Sequence, residues 1–413
     1  MTKLSRGTII LLLLALSITA GRAAAEDSPL DLLRRGEFEN ALPLLKRDFS
    51  LFPYDRSIRK NLAEAYLEVG KRQVERKEFD AAAESFDSAL QLYPDRQDIA
   101  VLRGIALYFG KRYDEAAIVL EEARQRGGEN ILVLFYLGRV RYDSGDLAGA
   151  LEAWDAALTL EPDNKAISEM ADKARRESAV ESRMEKGYRS MFVISYDEGT
   201  GSALADDVLA VLESAYNRVG SDFSLYPSVR IPVILYTRQD YRSVTSSPEW
   251  SGGLYDGKVR LPIGGAHEIT PLLRGVLFHE YTHVVVRELT RGNCPTWLNE
   301  GLAELEGRRE FDPPLTSLEA AAKTGSFLPF SALEKSLASF SAKDAQLAYQ
   351  QSYAMVRFMV SAYGWHKVRE LLVDLGSGMG IEAAIAATFE DYGLDYKGLV
   401  QAWREAVGKE FRK

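Results

Sequence analysis

Cysteine and histidine are the scarce residues of this 413-residue chain, which has one of the former, Cys294, and four of the latter. A lone thiol excludes an internal disulfide and a tetrathiolate metal site, so the fold is expected to rest on its core. Cys294 itself reads as a packed or loop thiol. Long apolar runs are missing too: after residue 25 no stretch approaches 18 consecutive apolar residues, which argues against a membrane span. Nor is there an excess of positive charge. A formal net charge of −9 repels phosphate backbones and gives nucleic-acid binding no support. What remains, 46% hydrophobic and 27% charged residues, is ordinary globular material. At this length one core is insufficient, and two domains are expected.

Residues 1–25 have the layout of a cleaved secretory signal. Lys3 and Arg6 form a basic start, residues 9–18 an apolar core, and Ala23-Ala24-Ala25 a small-residue site before Glu26. An uncleaved anchor is the rival reading, against which the apolar run is short, and no cysteine stands at the junction for a lipoprotein anchor. Removal of the segment takes Lys3, Arg6 and Arg22 and no acidic residue, deepening the charge to −12. The expectation is a periplasmic or secreted protein with no stable membrane span after cleavage.

From about residue 58 to 164 the chain repeats every 34 residues. Gly70, Gly104 and Gly138 keep this interval, as do Ala82, Ala116 and Ala150; Phe79 matches Tyr113, and Phe86 matches Leu120 and Trp154. Pro94 and Pro162 close units two periods apart. Small residues let antiparallel helices approach, and large ones fill the flanks between successive hairpins. The positions resemble the tetratricopeptide pattern. Residues 29–53 form a degenerate further unit through Gly36, Phe38, Ala41 and Pro53. The spacing from Ala41 to Ala82 is 41, so one unit carries about two extra helical turns, placed in residues 59–77. Residues 27–163 are thus read as a repeat domain exposing a surface for a protein partner, and residues 164–188 as a charged capping or linking helix.

The pattern changes near Met191. Residues 192–196 and 230–236 have strand composition, with Pro232 suggesting an end or edge position, and residues 203–219 carry a helical stripe. Asp256-Gly257 between residues 254–255 and 258–261 signals a tight hairpin. Residues 258–261 are a candidate edge strand for pairing with an extended substrate. Helices are expected over 269–289, 295–305, 349–363, 367–375 and 396–407. The whole reads as α+β: an all-α solenoid, then a domain over 189–410 with a small sheet and a buried helix.

That helix holds His279-Glu280-Tyr281-Thr282-His283. An i,i+4 pair puts both imidazoles on one face about a turn apart, with Glu280 about 100° round from the first. This suits two zinc ligands with a carboxylate beside them. A hydrolytic zinc commonly takes a third protein ligand; Trp297-Leu298-Asn299-Glu300-Gly301 supplies Glu300, and Glu304 stands one turn later. Together the two motifs resemble the gluzincin metallopeptidases, particularly the peptidase MA-like domains beside tetratricopeptide repeats in exported bacterial proteins. The resemblance implies zinc held by His279, His283 and Glu300, with Asn299 and Trp297 as local support. The 17 residues from His283 to Glu300 make a connection a little shorter than in the aminopeptidase branch, and no G-x-M-x-N exopeptidase signature is nearby.

Glu280 is then the general base, taking the proton of a water activated by the metal and passing it to the leaving nitrogen. Negative charge on the carbonyl oxygen calls for a further donor. Tyr353, in a Gln351-Ser352-Tyr353-Ala354 segment similar to one in related exported domains, is the catalytic candidate, with Tyr349 four residues earlier projecting the same way and Arg357 placed to orient a carboxylate. His267 and His366 are read as surface residues. The expected function is zinc-dependent endoproteolysis of an exported protein or peptide. The rivals are a non-catalytic binding protein with a structural or vestigial metal domain, and an envelope-assembly factor.

Overall fold

In a computed structural model of the protein, residues 27–127, 130–245, 253–263, 266–337 and 340–411 are described. The candidate signal over residues 1–25 lies outside them. Among the described residues no helix is long and apolar enough to cross a membrane.

The chain divides into two compact units, residues 1–128 and 129–413. The first contains α1 (Pro29–Arg34), α2 (Phe38–Leu51), α3 (Arg56–Glu75), α4 (Phe79–Leu92), α5 (Gln97–Phe109) and α6 (Tyr113–Gly127). Each helical hairpin shows why glycine recurs every 34 residues. A Cβ on Gly70 would stand 2.6 Å from the Phe86 ring, and one on Gly104 would stand 2.6 Å from Leu120 Cγ. The first helix of a hairpin gives up its side chain where the second inserts a large apolar one. The extra turns lie in α3, which has 20 residues against 13 in α5.

The second unit begins with the last repeat hairpin, α7 (Ile131–Asp143) and α8 (Leu147–Leu160), where Gly138 faces Trp154 in the same way, followed by α9 (Lys165–Glu181). Leu134, Trp154, Ile167 and Ala171 make these three helices one core. The division between compact units therefore falls inside the repeats. The segment read as one capping helix also splits: α9 ends at Glu181, and β1 (Glu185–Arg189) is an exposed strand. Its charged sequence lacks the alternation that marks a half-buried strand.

β1 pairs antiparallel with β2 (Phe192–Tyr196); α10 (Ser202–Phe223) then leads to β3 (Ile231–Leu235), α11 (Arg238–Thr245), β4 (Leu254–Tyr255) and β5 (Val259–Leu261). The sheet order is β1-β2-β3-β5-β4, with β2-β3 and β3-β5 parallel. Pro232 thus sits in a central strand. Ile231 donates to Met191 on the β2 side and Tyr236 donates to Leu261 on the β5 side. Backbone groups alternate along a strand, so the nitrogen of Pro232 faces the β5 side, where pairing starts only at Val233. Residues 258–261 are likewise not an edge, since β5 lies between β3 and β4; the edge is β4. The hairpin loop has three residues, because Tyr255 pairs with Val259, and Gly257 takes φ +111° at its tip.

The remaining helices are α12 (Pro271–Thr290), α13 (Thr296–Arg308), α14 (Thr316–Thr324), α15 (Ala342–Gly376), α16 (Ile381–Thr388) and α17 (Tyr396–Phe411). Thr270 caps α12 by accepting from Leu273 N–H at 3.1 Å, with Pro271 at the first helical position. Leu277, Phe278, Tyr281, Val285 and Val286 bury this helix, and the Tyr281 ring meets Phe192 of β2 edge-on at 5.9 Å. α15 breaks at Gly364, whose φ of +83° lies in the left-handed region. The fold is α+β, with helical repeats ahead of a small mixed sheet and a buried motif helix.

Candidate metal centre

Three close helix contacts fix the site. A Cβ on Gly275 of α12 would lie 3.0 Å from the Gly307 carbonyl oxygen of α13, and one on Gly307 would lie 2.8 Å from that of Gly275. On its other side α13 meets α15, where a Cβ on Gly301 would lie 2.4 Å from the Ser352 carbonyl oxygen. Only glycine permits this approach, which explains the residue after Glu300. Trp297, fully buried, anchors the start of α13 edge-on against Phe330 at 5.3 Å.

His279, His283 and Glu300 are brought together as the sequence implies. Their facing atoms form a near-regular triangle: His279 Nε2 to His283 Nε2 3.1 Å, His279 Nε2 to Glu300 Oε2 3.4 Å, and His283 Nε2 to Glu300 Oε2 3.5 Å. Tetrahedral ligands about 2.05 Å from a zinc ion stand roughly 3.3 Å apart, so the donors fit one ion. Glu300 Oε2 is buried without a hydrogen-bond partner, which also points to a cation among these atoms. Among the described residues this is the one group of three such side chains able to hold a metal.

The far nitrogens of both imidazoles are held as well. His279 Nδ1 lies 3.5 Å from Glu304 Oε1, and His283 Nδ1 lies 3.0 Å from Asn299 Oδ1. Such contacts fix each ring and direct Nε2 at the metal position. Arg308 in turn donates to Glu304 Oε2 at 2.9 Å. Burial alone would push the Glu300 carboxyl up, but His283 and His279 hold it below the usual carboxylate range. Burial likewise works against a charged His279, yet Glu300, Glu304 and Glu280 raise it well above an ordinary imidazole.

Beside the ligands runs a cleft of about 340 Å³, whose walls include Gly253, Gly275, His279, Glu280, Arg308 and Tyr349. Glu280 is nearly fully buried, its Oε2 has no hydrogen-bond partner among the described residues, and burial raises its carboxyl against the pull of the two histidines. A Cβ on Gly253 would lie 2.4 Å from Glu280 Oε1, so the residue preceding β4 must be bare for the carboxylate to keep its place.

Tyr353 is not among the cleft-lining residues. Its ring is covered by the Arg308 guanidinium at 4.7 Å and by that of Arg357 at 5.4 Å. Arg357 pairs with Glu410 at 2.5 Å, away from the ligands. The tyrosine on the cleft is Tyr349, one turn earlier, with its ring 6.4 Å from that of His279. Burial, then the charges of Glu300, Glu280 and Glu304, keep its hydroxyl protonated. His267 and His366 are exposed, and neither joins a metal-ligand group among the described residues. Burial pushes the Cys294 thiol up, in keeping with a packed residue. Sequence reasoning missed the second partners of the imidazoles; the i,i+4 pair Glu304 and Arg308 was their one visible sign.

Residues 222–409 match the Peptidase MA superfamily, and residues 69–131 and 131–164 match tetratricopeptide repeats. Among solved structures, a thermophilic TPR protein of Thermus thermophilus is similar at 19% identity, over 36% of this chain and 77% of that one, with a TM-score of 0.25. The superfamily match starts within α10 and takes in the cleft and all three candidate ligands, and the repeat matches precede it. This chain therefore carries a domain of the Peptidase MA superfamily preceded by tetratricopeptide repeats.

Proposed function

We propose that the C-terminal domain is a zinc-dependent peptidase that cleaves within exported proteins or peptides, and that His279, His283 and Glu300 hold the ion. The observation that carries this reading is Glu280. A structural metal needs ligands only, whereas here a carboxyl group outside the ligand set is buried on the cleft wall with one oxygen unengaged. Bound zinc supplies Lewis acidity and an activated water. Glu280 takes the proton as the water oxygen bonds to the amide carbon. Negative charge gathers on the carbonyl oxygen, toward which the protonated Tyr349 hydroxyl donates. The carbon–nitrogen bond then breaks, with the proton passing from Glu280 to the leaving amine. Tyr349 takes the role that sequence alone assigned to Tyr353, because it lines the cleft.

The signal-like residues 1–25 support action in the periplasm or outside the cell, and the repeats suit a protein partner. The test is zinc content and hydrolysis of a quenched-fluorescence peptide library by wild-type, chelator-treated and Glu280→Gln protein. Wild type should bind about one zinc, and the substitution should keep the metal and lose roughly 10²–10⁴-fold in kcat/KM. Undiminished cleavage by the zinc-loaded variant defeats the proposed base, and a purified protein that never takes up zinc defeats the metal reading.

A further inference from the structure

The α9 helix and the β4–β5 hairpin carry complementary charges that meet face to face. On α9, Lys173, Glu177 and Glu181 recur every four residues, a rise of about 6 Å per step. On the hairpin, Asp256 and Lys258 stand in the three-residue loop and Arg260 on β5, where Arg260 Nε also holds Asp256 at 3.0 Å. Each hairpin charge meets an opposite charge on α9, and Lys258 and Arg260 each reach both glutamates. Lys173 Nζ lies 2.7 Å from Asp256; Glu177 receives Lys258 Nζ and Arg260 Nη2, both at 2.8 Å; Glu181 receives Arg260 Nη1 at 3.0 Å and lies 3.6 Å from Lys258 Nζ. Glu177 and Arg260 are fully buried and Lys258 nearly so. Tyr142 of the last repeat hairpin donates to Glu177 at 2.5 Å, and the Tyr236 hydroxyl donates to Glu181.

The residue leading into this hairpin lines the cleft beside the candidate ligands. Gly253, one residue before β4, seats against Glu280, and the Tyr255 ring lies 5.8 Å from the Arg287 guanidinium of the motif helix. Short β4 is the sheet edge and has two residues, too few to hold its own place. We propose that the ladder between α9 and the hairpin is a positioning device, with Glu177, Glu181, Lys258 and Arg260 setting the distance of the β4 edge from Glu280 and so the fit of the substrate backbone. Its ladder half stands on geometry alone; its substrate half rests on the peptidase reading above. Salt bridges between packed elements fix register even where apolar residues would stabilise as well.

The test uses the full chain, wild type and Glu177→Gln, with a second variant, Glu177→Met with Lys258→Met and Arg260→Met, that keeps the space filled without burying unpaired charge. Three readouts are taken: zinc affinity, amide hydrogen exchange, and KM against kcat on the best-cleaved member of the peptide library. Both variants should bind zinc within about twofold of wild type, and amides of residues 253–261 should exchange at least tenfold faster while those of α12 keep their protection. KM should rise about tenfold with kcat changed less than threefold. If Glu177→Gln does not fold, the triple variant decides alone. Wild-type exchange over residues 253–261 in the folded triple variant overturns the ladder, and so does loss of zinc together with α12 protection, which marks a merely structural role. Absence of hydrolysis by wild type defeats the peptidase reading and leaves the exchange comparison to judge the ladder.

Discussion

The helical repeats and the C-terminal helices around α13 bury glycine for the same purpose but against different neighbours. In the repeats, Gly70 and Gly104 make room for the side chains of Phe86 and Leu120. In the Peptidase MA domain, Gly301, Gly275 and Gly307 make room for main chain, the carbonyl oxygens of Ser352, Gly307 and Gly275. Buried charge divides the same way. The described residues of the first unit bury no charged side chain, whereas the second buries Glu177, Lys258, Arg260, Glu280, Glu306, Arg308 and Lys367. A repeat unit needs only apolar contacts that its neighbours restate, so it tolerates adjustment. The Peptidase MA domain holds backbone and charge in single arrangements, and should fail more sharply when either is disturbed.

The largest difference is expected at Gly301. An added methyl would meet the Ser352 carbonyl oxygen at 2.4 Å, and a helix backbone cannot turn aside as a side chain does. Gly301→Ala should cost about 3 to 4 kcal/mol, at or above the upper end of ordinary overpacking. Because α13 carries Glu300, parting it from α15 also displaces a ligand, and zinc affinity should fall at least tenfold. Hydrogen exchange locates the damage: α13 and α15 should lose protection while α3 to α6 keep theirs. Equal loss in both units, or none, would remove the distinction between the two kinds of contact.

Buried charge gives the second contrast. Glu306 is fully buried on α13, and burial, with Asp222 beside it, outweighs Arg309 and Arg218 and raises its carboxyl to about 7. A carboxyl whose folded pKa lies above its unfolded value stabilises most below the unfolded value, and that stability is lost as pH rises through the folded one. Between pH about 4.5 and about 8 wild type should therefore lose about 3 kcal/mol relative to Glu306→Gln, at 1.36 kcal/mol per pKa unit. Denaturant midpoints across this range, taken as the difference between the two proteins, give the figure; parallel curves would show that Glu306 is ionised throughout. The first unit has no buried carboxylate among its described residues, so its exchange protection should not follow this dependence.

The same division explains what the sequence made legible. The 34-residue period exposed the repeats, because each contact recurs at a fixed interval, and the H-E-x-x-H spacing exposed the imidazole pair, because both lie on one helix. Glu300 needed the family resemblance, since a helix crossing, not a spacing, brings it to the histidines. Tyr349 and Tyr353 share a face of α15, and only the place where that helix crosses Gly301 decides which of them reaches the cleft. That crossing sits at Ser352, beside Tyr353, and the cleft opens toward the start of the helix, past Tyr349, Gln346 and Ala342. Exposed β1 and the ladder from α9 to the hairpin were hidden for a related reason. Charged residues at spacings of four or two look like solvated faces until their partners, about eighty residues away, are in place.

The smallest effect is expected in the repeats themselves. A methyl on Gly104 would stand 2.6 Å from Leu120 Cγ and 2.7 Å from its Cδ2. Both atoms belong to a side chain with another rotamer available, so the overpacking cost should stay near 1–2 kcal/mol, the low end of its range. Alanine also favours the helix over glycine by about 1 kcal/mol, which offsets part of that cost. Gly104→Ala should therefore lower stability by no more than about 1 kcal/mol, seen as a modest rise in exchange over α5 and α6, with zinc affinity unchanged. Gly104→Ala combined with Leu120→Ala separates the two terms. If the clash with Leu120 is the source of the loss, the double variant should be less destabilised than the sum of the single changes, since the smaller side chain vacates the space the new methyl takes. Strict additivity would mean that the 34-residue glycines serve backbone freedom rather than the insertion of the opposing side chain.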